Sequence, residues 1–271
     1  MKILKADLHI HTNEDPYEHI RYSAKDMIDV ASQRGFDVLS ITNHEMVTYN
    51  KELEEYALSK GVLLIPGVEP IVQGKDILIY NLLDYKPGMI KTFEDLKRYK
   101  GDDTLIIAPH PFFPSPRSLL SLFQEAAPAL DGIEYCHHYT RRVNFNRKAE
   151  QKAREFNLPL IGSSDAHLSS QLGTTYSLIA SEKEVNAVIR AIKEKKVEVV
   201  TRPLDFLHTV KVWFQLFRQG PIDTVIVLTW TFFYLLFRVE LNCILISSAL
   251  SRLSASPSPP LPRDQGKPSS P

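Results

Sequence analysis

The chain has little sulfur to work with: two cysteines in 271 residues, Cys136 and Cys243. Two thiols build no disulfide framework, and the expected compartment is a reducing one, the cytoplasm. A structural zinc site of clustered thiolates is excluded for the same reason. Net charge is also missing, because 32 basic side chains balance 32 acidic ones. No general attraction to polyanions follows, so a nucleic acid would have to be held by a local patch. The N-terminus lacks the long apolar run of a secretory leader, since Met1 leads into a polar, histidine-bearing stretch. What the chain does have is an apolar fraction of 44%, enough for a large core.

The histidines carry the information. Residues 1–6 read as a strand and run into Asp7-Leu8-His9-Ile10-His11-Thr12. Alternate side chains of a strand share a face, so His9 and His11 project together as half of a metal site. Later apolar segments end in the same kind of residue. Residues 36–43 lead to His44, 62–68 to Glu69, 104–109 to His110, 132–136 to His137 and His138, and 158–164 to Asp165-Ala166-His167. In a closed parallel sheet those ends meet on one face, where α/β barrels carry their active sites.

Helical patterns lie between the strands, at residues 23–34, 49–59, 93–99, 118–126, 144–156 and 182–195, and residues 197–201 read as a closing strand. Strands alternating with helices predict a parallel sheet with crossover helices. Beyond residue 202 the character changes. Residues 203–250 read as an apolar, amphipathic helical extension, a candidate for membrane association through 204–250. Its strongest run, 222–237, is cut off by Arg238 and Glu240 and is shorter than the roughly 20 residues of a spanning helix. Residues 251–271 are rich in serine and proline and are expected to be disordered.

Taken together, His9-x-His11, Thr42-Asn43-His44, Gly67-Val68-Glu69, Ala108-Pro109-His110-Pro111, His137 and Ser164-Asp165-Ala166-His167 resemble the PHP domain family (polymerase and histidinol phosphatase). The resemblance spans roughly residues 1–202 and rests on order, residue type and strand-end placement. It implies a distorted (β/α)7 barrel, an α/β fold, holding two or three divalent metal ions: Mn, Zn or Fe. It implies a metal-dependent phosphoesterase in which a metal-activated hydroxide attacks a phosphate ester in line. The substrate would be a nucleotide, an oligonucleotide or another nucleic acid, or a small phosphomonoester.

The resemblance also implies a division of ligands. His9, His11, Glu69 and Asp165 would hold a first ion; Glu69, bridging, with His110 and His137 a second; Asp15, His44 and His167 a third. His9, His11, Glu69, Asp165 and His167 are the expected catalytic set. In the loop after His11, Asp15 is the first choice for the third ion, then His19 and Glu14, and His138 stands beside His137 as its alternative. Asp7 is expected to accept a histidine N–H from behind the ligands. Arg141 and Arg142, ahead of Arg147 and Lys148, are candidates to grip substrate phosphate, and Phe112, Phe113 and Tyr139 to line a ring pocket. Two alternatives remain: a non-catalytic, regulatory metal-binding module of the same family, and an amidohydrolase-type hydrolase, which bridges its metals with a lysine where this chain has Glu69.

Overall fold

A computed structural model describes residues 2–204. Strands and helices alternate from the start: β1 (Lys2–Asp7), α1 (Ala24–Gln33), β2 (Val38–Ile41), α2 (Lys51–Ser59) and β3 (Leu63–Val68). A small hairpin, β4 (Ile71–Val72) and β5 (Lys75–Asp76), precedes β6 (Leu78–Tyr80) and the short α3 (Phe93–Leu96). Then come β7 (Leu105–Ala108), α4 (Phe123–Ala126), β8 (Gly132–Cys136), α5 (Asn146–Glu155) and β9 (Leu160–Ser163). The series ends with β10 (Thr175–Ser181), α6 (Val185–Lys193) and β11 (Val197–Thr201).

Nine strands form one sheet in the order β11-β10-β1-β2-β3-β6-β7-β8-β9. Seven of them run in one direction, and these are the seven strands the sequence predicts; β6 and β10 lie antiparallel to both neighbours. The two additions make the barrel irregular. β6 has three residues, too few to show alternation, and β10 does not lead to a metal-ligand residue, which was the feature marking six of the seven predicted strands.

β1 closes the sheet by changing partner. Its first half pairs with β10, from Lys2 opposite Ser181 to Ala6 opposite Ser177. Past Asp7 it turns to the end of β9: His11 N donates to Ala166 O at 3.1 Å and Ala166 N to His9 O at 3.3 Å. The outcome is a nearly closed barrel with the ends of β1 and β9 side by side. β9 also rests on β10, where Gly162 N donates to Ser177 Oγ at 2.9 Å and that hydroxyl donates to Gly162 O at 3.0 Å. A Cβ at Gly162 would stand 2.6 Å from Tyr176 O, so this contact admits glycine alone.

The helices follow from their caps and apolar stripes. α1 starts at a capping box between Ser23 and Asp26 and buries Ala24, Met27, Ile28 and Ala31. The helix expected over 118–126 is shorter than its pattern. Leu120–Leu122 is a 3-10 turn, Leu120 has φ 49°, and Ser118 turns its hydroxyl to His110 instead of capping a helix. Leu4, Val38, Ile65, Ile107 and Ile161, from five strands, share a buried cluster with Ile189 of α6. Past β11, Leu204 is buried and its N–H donates to Tyr139 O at 2.8 Å. The extension and tail expected beyond that point lie outside the described residues, and no helix among the described residues is long and apolar enough to cross a membrane.

Closure at Gly162 is testable. Gly162→Ala should destabilise the fold by about 1–3 kcal/mol, the usual cost of overpacking a core, seen as a lower urea midpoint at unchanged slope. An unaltered midpoint would mean that β9 and β10 can separate freely.

Candidate metal centre

The strand ends deliver the predicted residues to one place. His9, His11 and Glu69 are each at most 1% exposed, and Asp15, His44 and Asp165 are buried with them. His9 Nε2 and His11 Nε2 are 3.1 Å apart. Glu69 Oε2 stands 3.4 Å from the first and 3.2 Å from the second, and Asp165 Oδ1 3.3 and 3.4 Å from the same two nitrogens. A tetrahedral ion with ligands at about 2.1 Å has ligand atoms about 3.4 Å apart. His9, His11 and Glu69 thus outline one side of a coordination shell, and Asp165 meets the same two nitrogens.

Hydrogen bonds fix which ring nitrogen faces inward. His9 Nδ1 donates to Glu134 Oε1 at 2.8 Å, and His11 Nδ1 donates to Asp15 Oδ2 at 3.0 Å. In the neutral rings both Nε2 lone pairs then point at each other and at two carboxylates. Such an arrangement is repulsive unless a proton or a metal cation sits between the groups. Glu69 Oε1 is buried without a hydrogen-bond partner, and the nearest histidine nitrogen given for it is His110 Nε2 at 3.8 Å. The donor set, two imidazole nitrogens with carboxylate oxygens of Glu69 and Asp165 against them and an orphaned carboxylate oxygen beside them, fits a divalent metal.

The other expected residues divide into those the structure gathers and those it does not. His44 Nε2 lies 3.3 Å from Glu69 Oε2, and its ring stacks on His11 with centroids 4.6 Å apart. His167 lies against His11 at the same centroid distance, its ring tilted by 32°. Its Nε2 meets Glu18 Oε2 at 2.7 Å and its Nδ1 donates to Asp165 O at 3.0 Å. Burial lowers the His167 pKa, but the Glu18 and Asp165 carboxylates outweigh it and push it up to about 9. His110, held in the left-handed region at φ 27°, receives Glu134 Oε2 on its backbone N–H at 2.7 Å. His137 Nε2 accepts from the Gln171 amide at 2.9 Å, while its Nδ1 is buried without a hydrogen-bond partner. The alternative, His138, turns Nε2 toward Asp165 Oδ2 at 4.0 Å, and burial lowers its pKa to about 4.

Asp15 has both oxygens engaged. Oδ2 accepts from the His11 and His44 rings and from His44 N at 2.8 Å, and Oδ1 accepts from Tyr17 N at 2.8 Å. It therefore orients two histidines from behind. Glu14 instead accepts from Ala24 N at the start of α1, and His19 is exposed. Asp7 accepts backbone N–H groups of His9 and Ser164 at 3.4 and 3.0 Å, not the imidazole N–H expected; that bond belongs to Glu134. Arg141 and Arg142 lie exposed on the turn after β8. Phe112 packs on Phe123 in the core and Tyr139 on Tyr135, which leaves Phe113, half-buried beside His138, as the accessible ring of the three.

Glu134 and Glu18 were not singled out from the sequence. Glu134 had a signal, a carboxylate in the middle of the apolar strand Gly132–Cys136 where a lone charge is costly to bury. Glu18 had none, since its loop is polar throughout.

Residues 143–197 match a family model described as PHP-associated. The chain is 27% identical over 157 residues to an uncharacterized protein of Methanocaldococcus jannaschii, a match covering 55% of this chain and 91% of that one. Among solved structures, PsfC from Pseudomonas syringae shares the fold at TM-score 0.56 and 19% identity, over 78% of this chain and 96% of its own. The lesion-specific endonuclease PfuEndoQ from Pyrococcus furiosus shares it at TM-score 0.53 and 17% identity, over 73% of this chain and 58% of its own.

Two expectations follow. Burial lowers the pKa values of His9 and His11, but Asp165, Glu134 and Glu69 around the first and Asp15, Asp165 and Glu69 around the second raise both well above the ordinary value in the metal-free protein. A metal must displace those protons. Zn²⁺ or Mn²⁺ titrated at pH 7 should release protons, read as a calorimetric heat that depends on the buffer's ionisation enthalpy, and affinity should rise with pH. Glu134→Gln should weaken metal affinity about 10- to 100-fold in a chelator competition, the usual effect of losing the partner that orients a ligand histidine.

Proposed function

We propose that the chain is a PHP-type metal-dependent hydrolase of phosphate esters working with two or three divalent ions, a reading supported by the PHP-associated match over residues 143–197. One observation carries the reading: two buried imidazole nitrogens 3.1 Å apart each meet a Glu69 oxygen and an Asp165 oxygen at 3.2–3.4 Å. His9, His11, Glu69 and Asp165 would hold the first ion. Glu69 would reach a second through Oε1, with His110 and one of His137 and His138. His44 and His167 would serve a third, with Glu18 as the carboxylate beside them in place of Asp15. Bound there, the ions supply Lewis acidity toward phosphoryl oxygens and a water-derived nucleophile at neutral pH.

The protein's own groups supply the rest. Glu134 and Asp15 lock the tautomers of His9, His11 and His44, so every inward nitrogen presents a lone pair without rearrangement. Glu69 touches three histidines through one oxygen and leaves the other uncommitted, as a bridging carboxylate would. No serine or cysteine nucleophile is needed. A regulatory module that had lost activity would be expected to have lost ligands, whereas here the set is full. The endonuclease likeness favours a nucleotide or nucleic-acid ester within the proposed class.

His11→Ala and Asp165→Ala should each reduce hydrolysis of p-nitrophenyl phosphate or its bis ester to background while the far-UV circular dichroism stays that of the parent. Undiminished turnover in either variant would overturn the assignment.

A further inference from the structure

We propose that Arg117, set in place by Asp76, binds the phosphoryl oxygens of the substrate at this centre; the inference rests on the phosphoesterase reading above. Arg117 lies in the loop between β7 and α4, and that loop is tied to the β4–β5 hairpin. Asp76 N donates to Arg117 O at 2.9 Å, and Lys75 Nζ donates to Pro116 O at 2.7 Å. The next residue, Ser118, donates its hydroxyl to His110 O at 2.8 Å. The backbone at Arg117 is therefore pinned on one side to the hairpin and on the other to a residue of the metal centre.

The side chain is pinned as well. Arg117 Nε stands 3.3 Å from Asp76 Oδ1. Asp76 is 4% exposed, and one of its oxygens lies within 4.8 Å of ligand atoms of His44 and Glu69. The guanidinium is thus one carboxylate away from the centre, on its His44 and Glu69 side. Asp76 is its one ion-pair partner among the described residues, a charge contact on the Nε side with no hydrogen bond closed. Two Nη groups are left to form the planar fork that matches two oxygens of a phosphate. The side chain is 36% exposed, so the fork is reachable by a substrate entering from solvent. A cation serving only to neutralise Asp76 would not need that exposure. Asp76 is then a positioning residue and Arg117 the contact.

The test uses the full-length protein loaded with Mn²⁺ or Zn²⁺, with inorganic phosphate as the calorimetric probe and p-nitrophenyl phosphate as the substrate. Arg117→Ala should weaken phosphate binding about 10- to 100-fold, as expected for losing hydrogen bonds to a charged group. KM should rise more than kcat falls, with metal content unchanged. Because the single variant leaves Asp76 buried without its cation, Asp76→Asn/Arg117→Ala is measured beside it and should show the same loss. Arg117→Lys, which keeps the charge but not the fork, should recover part of it. Free guanidinium ion should restore binding to the alanine variants.

Phosphate binding equal to the parent's in the double variant would overturn the proposal and leave Arg117 a counter-ion for Asp76. A metal-loaded parent that binds no phosphate would overturn it too. A parent whose phosphate binding depends on Arg117 but which hydrolyses no ester would uphold the contact and overturn the phosphoesterase reading instead.

Discussion

Two buried imidazole nitrogens 3.1 Å apart, each with two carboxylates within 3.4 Å, form the constraint on which the rest of this structure depends. Each alone would be costly to bury, and together, without a cation, they repel. The surrounding structure is arranged to keep them there. Glu134 reaches across from β8 to hold the His9 ring with one oxygen and the His110 backbone with the other. Asp15 holds His11 and His44 together. Neither carboxylate needs to touch a metal to matter, since a ring turned the wrong way would present N–H where a lone pair is required.

The backbone bears part of the cost. His110 and Asp165 have φ of 27° and 45°, in the left-handed region that side-chain-bearing residues avoid. Each such residue costs on the order of 1–3 kcal/mol, and it persists only where the packing around it dictates the conformation. Both stand at the ends of strands, where the chain must turn sharply to aim a side chain at the barrel axis. Close strand contact serves the same end. At Gly67, two residues before Glu69, a Cβ would lie 2.3 Å from Ser40 Oγ, so β2 and β3 approach more closely than a side chain would allow. The change of partner by β1 just beyond Asp7 brings His9 and His11 beside Asp165. Closure of the sheet and assembly of the centre are thus one event.

The sequence made the inward-facing residues legible because histidines and acids at the ends of apolar strands have few other reasons to be there. His9, His11, His44, Glu69, His110, Asp165 and His167 all lie where the alternation of strand and helix implies. Less legible were the groups whose role depends on distances across the barrel. Glu134, Glu18 and Arg117 are common residue types in common places, and what sets them apart is the partner each meets from a remote segment. Loops were the hardest to register. Asp15 was found, but a four-residue separation from His11 says nothing about which nitrogen of an imidazole it meets; here it meets Nδ1 of both His11 and His44. The pair His137 and His138 could not be resolved from adjacency, and it took Gln171, 34 residues away, to occupy one of them. β6 and β10 were missed because they carry no chemistry, only closure.

The central claim is that this pocket is built for divalent cations. Elemental mass spectrometry of the purified full-length protein, before and after reconstitution with Mn, Fe and Zn, tests it most directly. The account expects more than one equivalent of divalent metal per chain, retained through desalting and lost on treatment with a chelator. Protein that retains no metal even after reconstitution would contradict it, and would mean that protons alone hold the histidines and carboxylates together.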